Sequence, residues 1–343
     1  MAIQIYELSL PELNSMMNDW KEPAFRSLQV WQGLYRNFWY SPIEFTNLPA
    51  HLRAKLGKIV QFDILVPISV LKSSDNNTIK TLFQLYDDLA IEAVLMRYEK
   101  RNTLCISTQV GCAMGCVFCA TGQMGFKRNL SSGEIVAQVM YYARQLHAQS
   151  EIVTNVVVMG MGEPFHNYDN TMAAIDRLND PDGYNFGARR FTISSVGLIP
   201  AIRRFSAEKR QVNLAISLHA SDDILRTKML PINKRYPLEG LLEVCREYVA
   251  STGRRITFEW ALINGVNDTS EQAHMLARKL KGLLCHVNAI PLNPTQGYSG
   301  LATTRERAEK FKVILTGYGI HCTIRLRRGI DIIAGCGQLA SYV

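Results

Sequence analysis

The sequence lacks the segments that direct a protein into or across a membrane. No apolar run is near the ~18 residues that a membrane-spanning helix requires. The first twenty residues have no basic segment followed by an apolar one, so no signal peptide is predicted. No long stretch is depleted of apolar residues, which argues against wholesale disorder. These absences predict a folded, cytoplasmic protein.

Internal repeats and low-complexity tracts are likewise absent. With 47% hydrophobic residues, a chain of 343 residues can bury one sizeable core and a small appended domain. Its 38 Lys and Arg outnumber its 30 Asp and Glu, for a formal net charge of +8. That excess suits a polyanionic partner, although ordinary solubilising charge explains it equally well. Basic clusters near cysteines favour the first interpretation: Arg97, Lys100 and Arg101; Lys127 and Arg128; Arg325, Arg327 and Arg328.

Strand and helix patterns alternate along most of the chain. Helical periodicity covers residues 22–38, and a period of two from 59 to about 104 includes a hairpin that turns at Asp87 and Asp88. Further strands are predicted at 104–109, 155–161, 191–195, 213–218, 255–262, 286–291 and 321–326. Helices are predicted between them at 133–148, 169–179, 198–209, 238–251, 270–283 and 304–318. Six such units fit a partial or full β/α barrel, with its site at the carboxyl ends of the strands.

Eight cysteines in a chain without an export signal do not indicate a disulfide framework. Three of them form the motif Cys112-x-x-x-Cys116-x-x-Cys119, in the loop after the first strand of the predicted barrel. The residues between them give no spacing that would bury all three thiols in a core. Structural zinc is one alternative, but it takes four ligands, and no suitable Cys/His pair follows. An iron–sulfur cluster also normally takes four cysteines, so three leave one iron open to another ligand.

This motif in this position resembles the radical SAM superfamily. The resemblance implies a 4Fe-4S cluster on Cys112, Cys116 and Cys119, whose open iron binds the amino and carboxylate groups of S-adenosylmethionine. Reductive cleavage of the sulfonium then gives a 5′-deoxyadenosyl radical. The segment GMGEP at 160–164, after the second strand, strengthens the resemblance. Its glycines allow backbone to approach a ligand, and Glu163 can accept from a methionine ammonium.

Longer segments are similar to the RNA methyltransferases of the RlmN and Cfr type. The similarity extends over nearly the whole chain, including the N-terminal part. It is carried by FRSLQVWQGLY at 25–35, LCISTQVGCAMGCVFCATGQMGFKRNL at 104–130, SLHA at 217–220, MLPINKRYP at 229–237, IPLNP at 290–294 and GIDIIAGCGQL at 329–339.

In this subfamily the methyl-carrying cysteine matches Cys336, and its partner thiol matches Cys105. The resemblance implies that Cys336 is methylated first, loses a hydrogen atom to the radical, and adds its methylene carbon to an adenine. Cys105 then attacks the Cys336 sulfur and releases the methylated base, leaving a transient disulfide. Taken without the resemblance, Cys105 is more simply a buried strand cysteine and Cys336 a loop cysteine.

The resemblance assigns other residues as well. Glu92 matches the proton acceptor that restores the aromatic ring. Contacts to S-adenosylmethionine are expected from Gly162, Glu163, Ser194, Ser217, Leu218, His219 and Asn293. Three cysteines match no such role and are expected in the core: Cys245, Cys285 and Cys322. The expected organisation is a small helical accessory domain for RNA binding (1–75), a linking β-hairpin (76–97) and an α/β radical SAM core of six βα units (98–343).

Two types of activity share these residues. RlmN-type enzymes methylate carbon-2 of an adenosine in 23S rRNA, with tRNA as a further candidate, whereas Cfr-type enzymes methylate carbon-8 and confer antibiotic resistance. Pro164 and the following Asn in GMGEPFHNYDN favour the RlmN type, because Cfr proteins typically replace that proline. We expect two S-adenosylmethionine molecules per turnover, an electron donor such as flavodoxin, no membrane partner and a monomer. A zinc-stabilised RNA-binding module without catalysis is the alternative of another class, and it would have no use for GMGEP or Cys336.

Overall fold

A ten-stranded sheet forms the centre of the computed structural model, which describes residues 3–340. In chain order the strands are β1 (Ile3–Gln4), β2 (Val60–Gln61), β3 (Val66–Lys72), β4 (Thr78–Gln84), β5 (Ala90–Tyr98), β6 (Arg101–Cys105), β7 (Gln109–Gly111), β8 (Phe126–Asn129), β9 (Asn155–Val158), β10 (Phe191–Ser195), β11 (Asn213–Ser217), β12 (Ile256–Leu262), β13 (Cys285–Pro291) and β14 (His321–Ile324). The helices are α1 (Leu10–Asp19), α2 (Phe25–Tyr35), α3 (Ala50–Ile59), α4 (Ala120–Gln123), α5 (Ser132–His147), α6 (Tyr168–Asn179), α7 (Ile199–Ala207), α8 (Asp223–Met229), α9 (Leu238–Thr252), α10 (Ser270–Leu280) and α11 (Arg305–Gly317).

The parallel strands lie side by side in the sheet in the same order as in the chain. Its strands run β6-β9-β10-β11-β12-β13-β14, and each neighbouring pair is parallel. Each of the last six strands is reached through an amphipathic helix, which buries its apolar face on the sheet. The strands therefore form a partial β/α barrel that is open in the described chain, with β14 at one edge. All their carboxyl ends meet at one mouth.

The first strand of the barrel differs from its prediction. The alternating pattern predicted a strand at 104–109, but β6 is Arg101–Cys105. Thr108 and Gln109 both donate their backbone N–H to the carbonyl of Met161, so the regular ladder with β9 is interrupted. The chain then forms β7, which pairs with β8 instead of the main sheet. The sequence pattern could not separate the two short strands because every residue from 103 to 111 is buried.

The predicted hairpin before the barrel is confirmed, and it extends the main sheet. Strands β4 and β5 pair antiparallel, and the turn between them contains Asp88 at φ 61°. β5 also pairs with β6, so the order β6-β5-β4-β3 continues the barrel sheet outward. At the outer edge, β3 is largely exposed along its whole length.

Helices α1, α2 and α3 form the N-terminal part and pack on the same hydrophobic core as the barrel. Trp31 and Leu34 are buried in one continuous cluster with Leu104 and Val156 of the sheet. Arg177 of α6 donates to the carbonyl of Glu7 at 3.1 Å, which ties the chain start to the barrel helices. Across residues 3–340, no helix combines the length and apolar character needed to cross a bilayer.

Candidate active site

The cysteine motif lies in a loop that a short hairpin closes. β7 and β8 pair antiparallel on either side of the loop. Gly111 has a φ of 72°, and a Cβ there would lie 1.8 Å from the carbonyl oxygen of Gly125, so only glycine fits. Next to it, the backbone N–H of Cys112 donates to the same oxygen at 3.0 Å. This tight closure fixes the point at which the motif begins.

All three motif thiols border one cavity. Burial is the main cause that raises their pKa values: that of Cys112 to about 12, that of Cys116 well above its usual value, and that of Cys119 above its usual value. The thiols are therefore neutral until a metal displaces their protons. Within residues 3–340, no three His, Cys, Asp or Glu side chains converge closely enough to hold a single ion. Thiols spread around a cavity fit a polynuclear cluster better than zinc, whose sulfurs lie ~2.3 Å from one point.

The same cavity opens at the carboxyl ends of the barrel strands. It encloses ≈ 950 Å³ of empty space, counting its open mouth. The structure brings six of the predicted S-adenosylmethionine contacts to its wall: Gly162, Glu163, Ser194, Ser217, His219 and Asn293. The seventh, Leu218, is fully buried with its side chain in the core and does not line the cavity.

The GMGEP segment packs tightly against the chain between β6 and β7 and against the start of β7. A Cβ on Gly160 would lie 2.7 Å from the carbonyl oxygen of Ile106, and one on Gly162, at φ 103°, 2.5 Å from Cβ of Gln109. The two carboxylate oxygens of Glu163 accept from Phe165 N at 3.0 Å and Val196 N at 2.8 Å. Burial nevertheless raises the pKa of Glu163 to about 7. Each oxygen keeps a second lone pair, so a fixed carboxylate faces the cavity.

His219 is held neutral and oriented by its surroundings. Its Nδ1 accepts from the backbone N–H of Ala261 at 2.9 Å, so Nε2 carries the ring proton. Burial, together with nearby Arg226, lowers the pKa of His219 to about 3. The residue has a φ of 60°, an uncommon conformation outside glycine. The imidazole thus lines the cavity as a fixed hydrogen-bond donor and not as a cation.

Asn293 links the barrel mouth to the C-terminal segment. Its Nδ2 donates to the carbonyl oxygen of Cys336 at 3.1 Å. Its Oδ1 is buried and has no hydrogen-bond partner among the described residues. A buried acceptor without a donor is costly, so this oxygen fits a hydroxyl or amino group of a bound ligand.

Cys336 lies where two cavities meet. It borders the cavity of the motif cysteines, and also a second cavity whose wall includes Cys105. Both side chains are thiols in the structure. Although Cys336 is exposed at the rim, surrounding protein raises its pKa, and Arg325 opposes that rise. Burial raises the pKa of Cys105 to about 12, with a smaller contribution from Cys336.

Glu92 does not border either of these cavities. Its carboxylate lies in a third cavity, between the β4–β5 hairpin and the C-terminal segment. There Lys80 Nζ lies 2.8 Å from Glu92 Oε1, and the backbone N–H of Ala340 donates to Oε2 at 2.8 Å. Glu92 therefore contacts the C-terminal segment through Ala340, and the sequence pattern contained no sign of this contact.

Two charged residues of the mouth were not predicted as site residues. Glu259, in the middle of the apolar strand β12, borders the cavity and accepts from Asn288 Nδ2 at 2.6 Å. Burial raises its pKa to about 7. Arg325, directly after β14, shares the second cavity with Cys105 and Cys336. A Glu inside an otherwise apolar strand was the available signal for the first, and the 325–328 basic cluster was the signal for the second.

Comparison with known proteins distinguishes a radical SAM enzyme from a zinc-stabilised RNA-binding module. Residues 106–277 match the family described as the radical SAM superfamily. A probable dual-specificity RNA methyltransferase RlmN from Chloroflexus aurantiacus is 48% identical, over 98% of this chain and 92% of its own. The dual-specificity RNA methyltransferase RlmN 1 of Myxococcus xanthus is 46% identical, over 100% and 95%. The chain belongs to the RlmN family of the radical SAM superfamily.

A solved structure supports the RlmN-family fold directly. The crystal structure of a radical SAM methyltransferase from Sphaerobacter thermophilus superposes with a TM-score of 0.96 at 48% identity, and it covers 98% of this chain and 99% of its own. The expected α/β radical SAM fold is therefore confirmed. A zinc-stabilised module without catalysis finds no support in these relatives.

The remaining cysteines and the basic clusters of this RlmN-family chain lie in different environments. Cys245, Cys285 and Cys322 are all buried, as predicted. Of the basic clusters, residues 325–328 line the second cavity. Arg128 instead forms ion pairs with Asp87 at 2.6 Å and Glu134 at 2.8 Å. Only part of the basic charge therefore lies at the mouth of the barrel.

Proposed function

We propose that the protein is a radical SAM methyltransferase that methylates carbon-2 of an adenosine in 23S rRNA and in tRNA. The observation that carries this proposal is the position of Cys336. Its thiol borders the cavity of the three motif cysteines on one side and the cavity of Cys105 on the other. A residue that receives a methyl group at one site and passes it on at another needs such a position.

The comparisons support the substrate. Relatives 48% and 46% identical over nearly the whole chain carry the name dual-specificity RNA methyltransferase. The basic residues of the second cavity suit a phosphate backbone. At its rim, Tyr98 has Arg101 on one side at 4.3 Å and Arg328 on another at 4.4 Å, both measured to the ring centroid. Aromatic rings among cations are typical of RNA-binding surfaces.

The residues present fit a 4Fe-4S cluster and S-adenosylmethionine. Cys112, Cys116 and Cys119 would hold the cluster, because their thiols surround one cavity and leave a fourth position open. The neighbouring carboxylate of Glu163 and the unsatisfied Oδ1 of Asn293 suit the ammonium and a polar hydrogen of S-adenosylmethionine. When bound, these groups supply the methyl group and the radical that activates it.

Cys336 and Cys105 have different roles in methyl transfer. Cys336 accepts a methyl group and later binds the adenine ring through its methylene carbon. Burial raises the pKa of both Cys336 and Cys105, and Arg325 opposes that rise, which favours the thiolates that each step requires. The Cys105 thiolate then forms a sulfur–sulfur bond with Cys336 as the carbon–sulfur bond breaks. The methylene carbon leaves with the electron pair of that bond and gains a proton to become the methyl group of the product. Glu92 is the proposed acceptor of the proton that the ring carbon loses.

Other features of the proposal concern partners. We propose two S-adenosylmethionine molecules per turnover, because one supplies the methyl group and the other the radical. A one-electron donor such as flavodoxin would reduce the cluster. We further propose a cytoplasmic monomer in which residues 1–75 contribute to RNA binding and 76–97 link them to the catalytic part 98–343.

Isotope labelling tests the proposal. With S-adenosylmethionine deuterated at the methyl group, the methylated adenosine should carry two deuteriums and 5′-deoxyadenosine one, because one deuterium leaves the Cys336 methyl group. A direct displacement would deliver all three and form no 5′-deoxyadenosine. Chromatography against carbon-2 and carbon-8 standards checks the position in the same run. Three deuteriums in the product would contradict the radical route, and a carbon-8 product would indicate the Cfr-type activity instead.

A further inference from the structure

A buried ion pair lies beneath the segment that carries Cys336. Lys80 of β4 and Glu92 of β5 are joined by 2.8 Å between Nζ and Oε1, and their side chains are only 10% and 5% exposed. Lys80 Nζ also donates to the carbonyl oxygen of Ile333 at 3.1 Å. The second oxygen of Glu92 accepts from Ala340 N at 2.8 Å. Among the described residues, the charged groups of Lys80 and Glu92 thus contact each other and the main chain of the C-terminal segment.

The two backbone contacts lie on opposite sides of Cys336. Ile333 precedes it by three residues and Ala340 follows it by four. Between them, the segment is held from the other side, because Ala120 N donates to the carbonyl of Gly337 at 2.7 Å. The ion pair therefore holds both ends of the loop from which the Cys336 thiol projects.

The charge of Lys80 also affects the pKa of Glu92. Within residues 3–340, the cavity around this carboxylate contains no other charged side chain. Glu92 lies outside the paired register with β6, the strand on the other side of β5, and Lys80 is the charged group that acts on its pKa. Burial raises the pKa of Glu92, and the hydrogen bond and charge of Lys80 oppose that rise. Without Lys80, a buried carboxylate would keep its proton to higher pH.

We propose that Lys80 is a positioning residue for RNA methylation, which keeps Glu92 available as a proton acceptor and holds the Cys336 segment against it. The proposal rests on the function proposed above, in which Glu92 deprotonates the ring carbon. It adds a residue whose polar contacts are the carboxylate of Glu92 and the carbonyl oxygen of Ile333. Lys80 acts through Glu92 and through the main chain at Ile333.

The pH dependence of adduct breakdown separates this role from a general structural one. In the Lys80→Met variant, Glu92 should keep its proton to higher pH, so the covalent RNA–protein adduct on Cys336 should accumulate. The rate of adduct breakdown should recover as the pH rises. Its pH midpoint should lie at least about one unit above that of the wild type, which corresponds to a tenfold lower rate at low pH. The iron content and the S-methylcysteine at Cys336, measured by intact mass, should be unchanged.

Three variants complete the design. Lys80→Arg keeps the charge and should keep the wild-type midpoint. Lys281→Met, at an exposed lysine directly after α10, is the matched control and should behave as the wild type. Adding Glu92→Gln to Lys80→Met should abolish the recovery at high pH. If Lys80→Met does not fold, Lys80→Gln is measured in the same way.

Two outcomes would overturn the proposal. One is an unchanged midpoint in a folded variant without the lysine. The other is loss of iron or S-methylcysteine with no pH shift, which would show that Lys80 only supports the fold. Failure of the proposed function looks different, because then the wild type itself forms neither adduct nor methylated adenosine.

Discussion

Arg226 is the largest charged group buried at the barrel mouth, and we expect its replacement by Met to weaken both fold and cofactor site. It is fully buried. Its guanidinium donates to the carbonyl oxygens of Val196 at 2.7 Å, Ser217 at 3.3 Å and Leu218 at 3.2 Å, and to Asn233 Oδ1 at 2.7 Å. Burial lowers its pKa to about 10, so it is still a cation at neutral pH. One side chain thus joins the ends of β10 and β11 to α8.

The size of the effect follows from these contacts. Each buried acceptor left without a donor costs about 1–3 kcal/mol, and loss of such a buried charge network about 3–5 kcal/mol in all. An unfolding entropy of about 2.1 cal/mol/K per residue over 343 residues is about 0.7 kcal/mol/K. The Arg226→Met variant should therefore melt about 4–7 °C below the wild type. Because Val196 and Ser217 line the cavity, the Kd for S-adenosylmethionine should also rise, by about tenfold or more.

Anaerobic thermal unfolding and equilibrium binding measure the two effects. Arg203→Met is the matched control, because Arg203 pairs with Glu247 at 3.1 Å while both side chains are about half exposed. Because solvent screens this exposed pair, its loss should change the melting temperature little. The reasoning is refuted if the two variants lower the melting temperature equally, or if Arg226→Met binds S-adenosylmethionine as tightly as the wild type.

Three further predictions concern single side chains. Because burial raises the pKa of Glu259 to about 7, its stabilising contribution is full below about pH 4.5 and is lost as the pH rises to about 7. Between these pH values the wild type should lose about 3 kcal/mol more stability than Glu259→Gln, and parallel denaturation curves would contradict this. Cys116→Ala should lose iron, whereas Cys245→Ala, in the core, should keep it, as measured by metal analysis; iron retained by the first variant would exclude the cluster assignment. Cys105→Ala should trap a covalent RNA adduct on Cys336, visible by mass spectrometry, and full turnover would exclude the thiol-exchange step.

The sequence alone determined those parts of the fold that depend on local patterns. Six helices between apolar strands were predicted because each buries one face, and the observed α5, α6, α7, α9, α10 and α11 agree with their predicted bounds within a few residues. The hairpin at Asp87 and Asp88 followed from its period of two and its turn residues. The spacing of Cys112, Cys116 and Cys119 indicated a cluster, because three nearby thiols without a core pattern need a common ligand.

What only the tertiary structure decided depends on contacts between residues far apart in the chain. Glu92 has an apolar neighbourhood in sequence, yet in space its partners are Lys80 and the main chain at Ala340. Glu259 and Arg325 reach the mouth only because neighbouring strands align in register, which no local pattern encodes. The junction of two cavities at Cys336 likewise depends on the C-terminal segment crossing the mouth. Local periodicity fixes which face a residue takes, but burial, charge pairing and pKa depend on what the rest of the chain places opposite it.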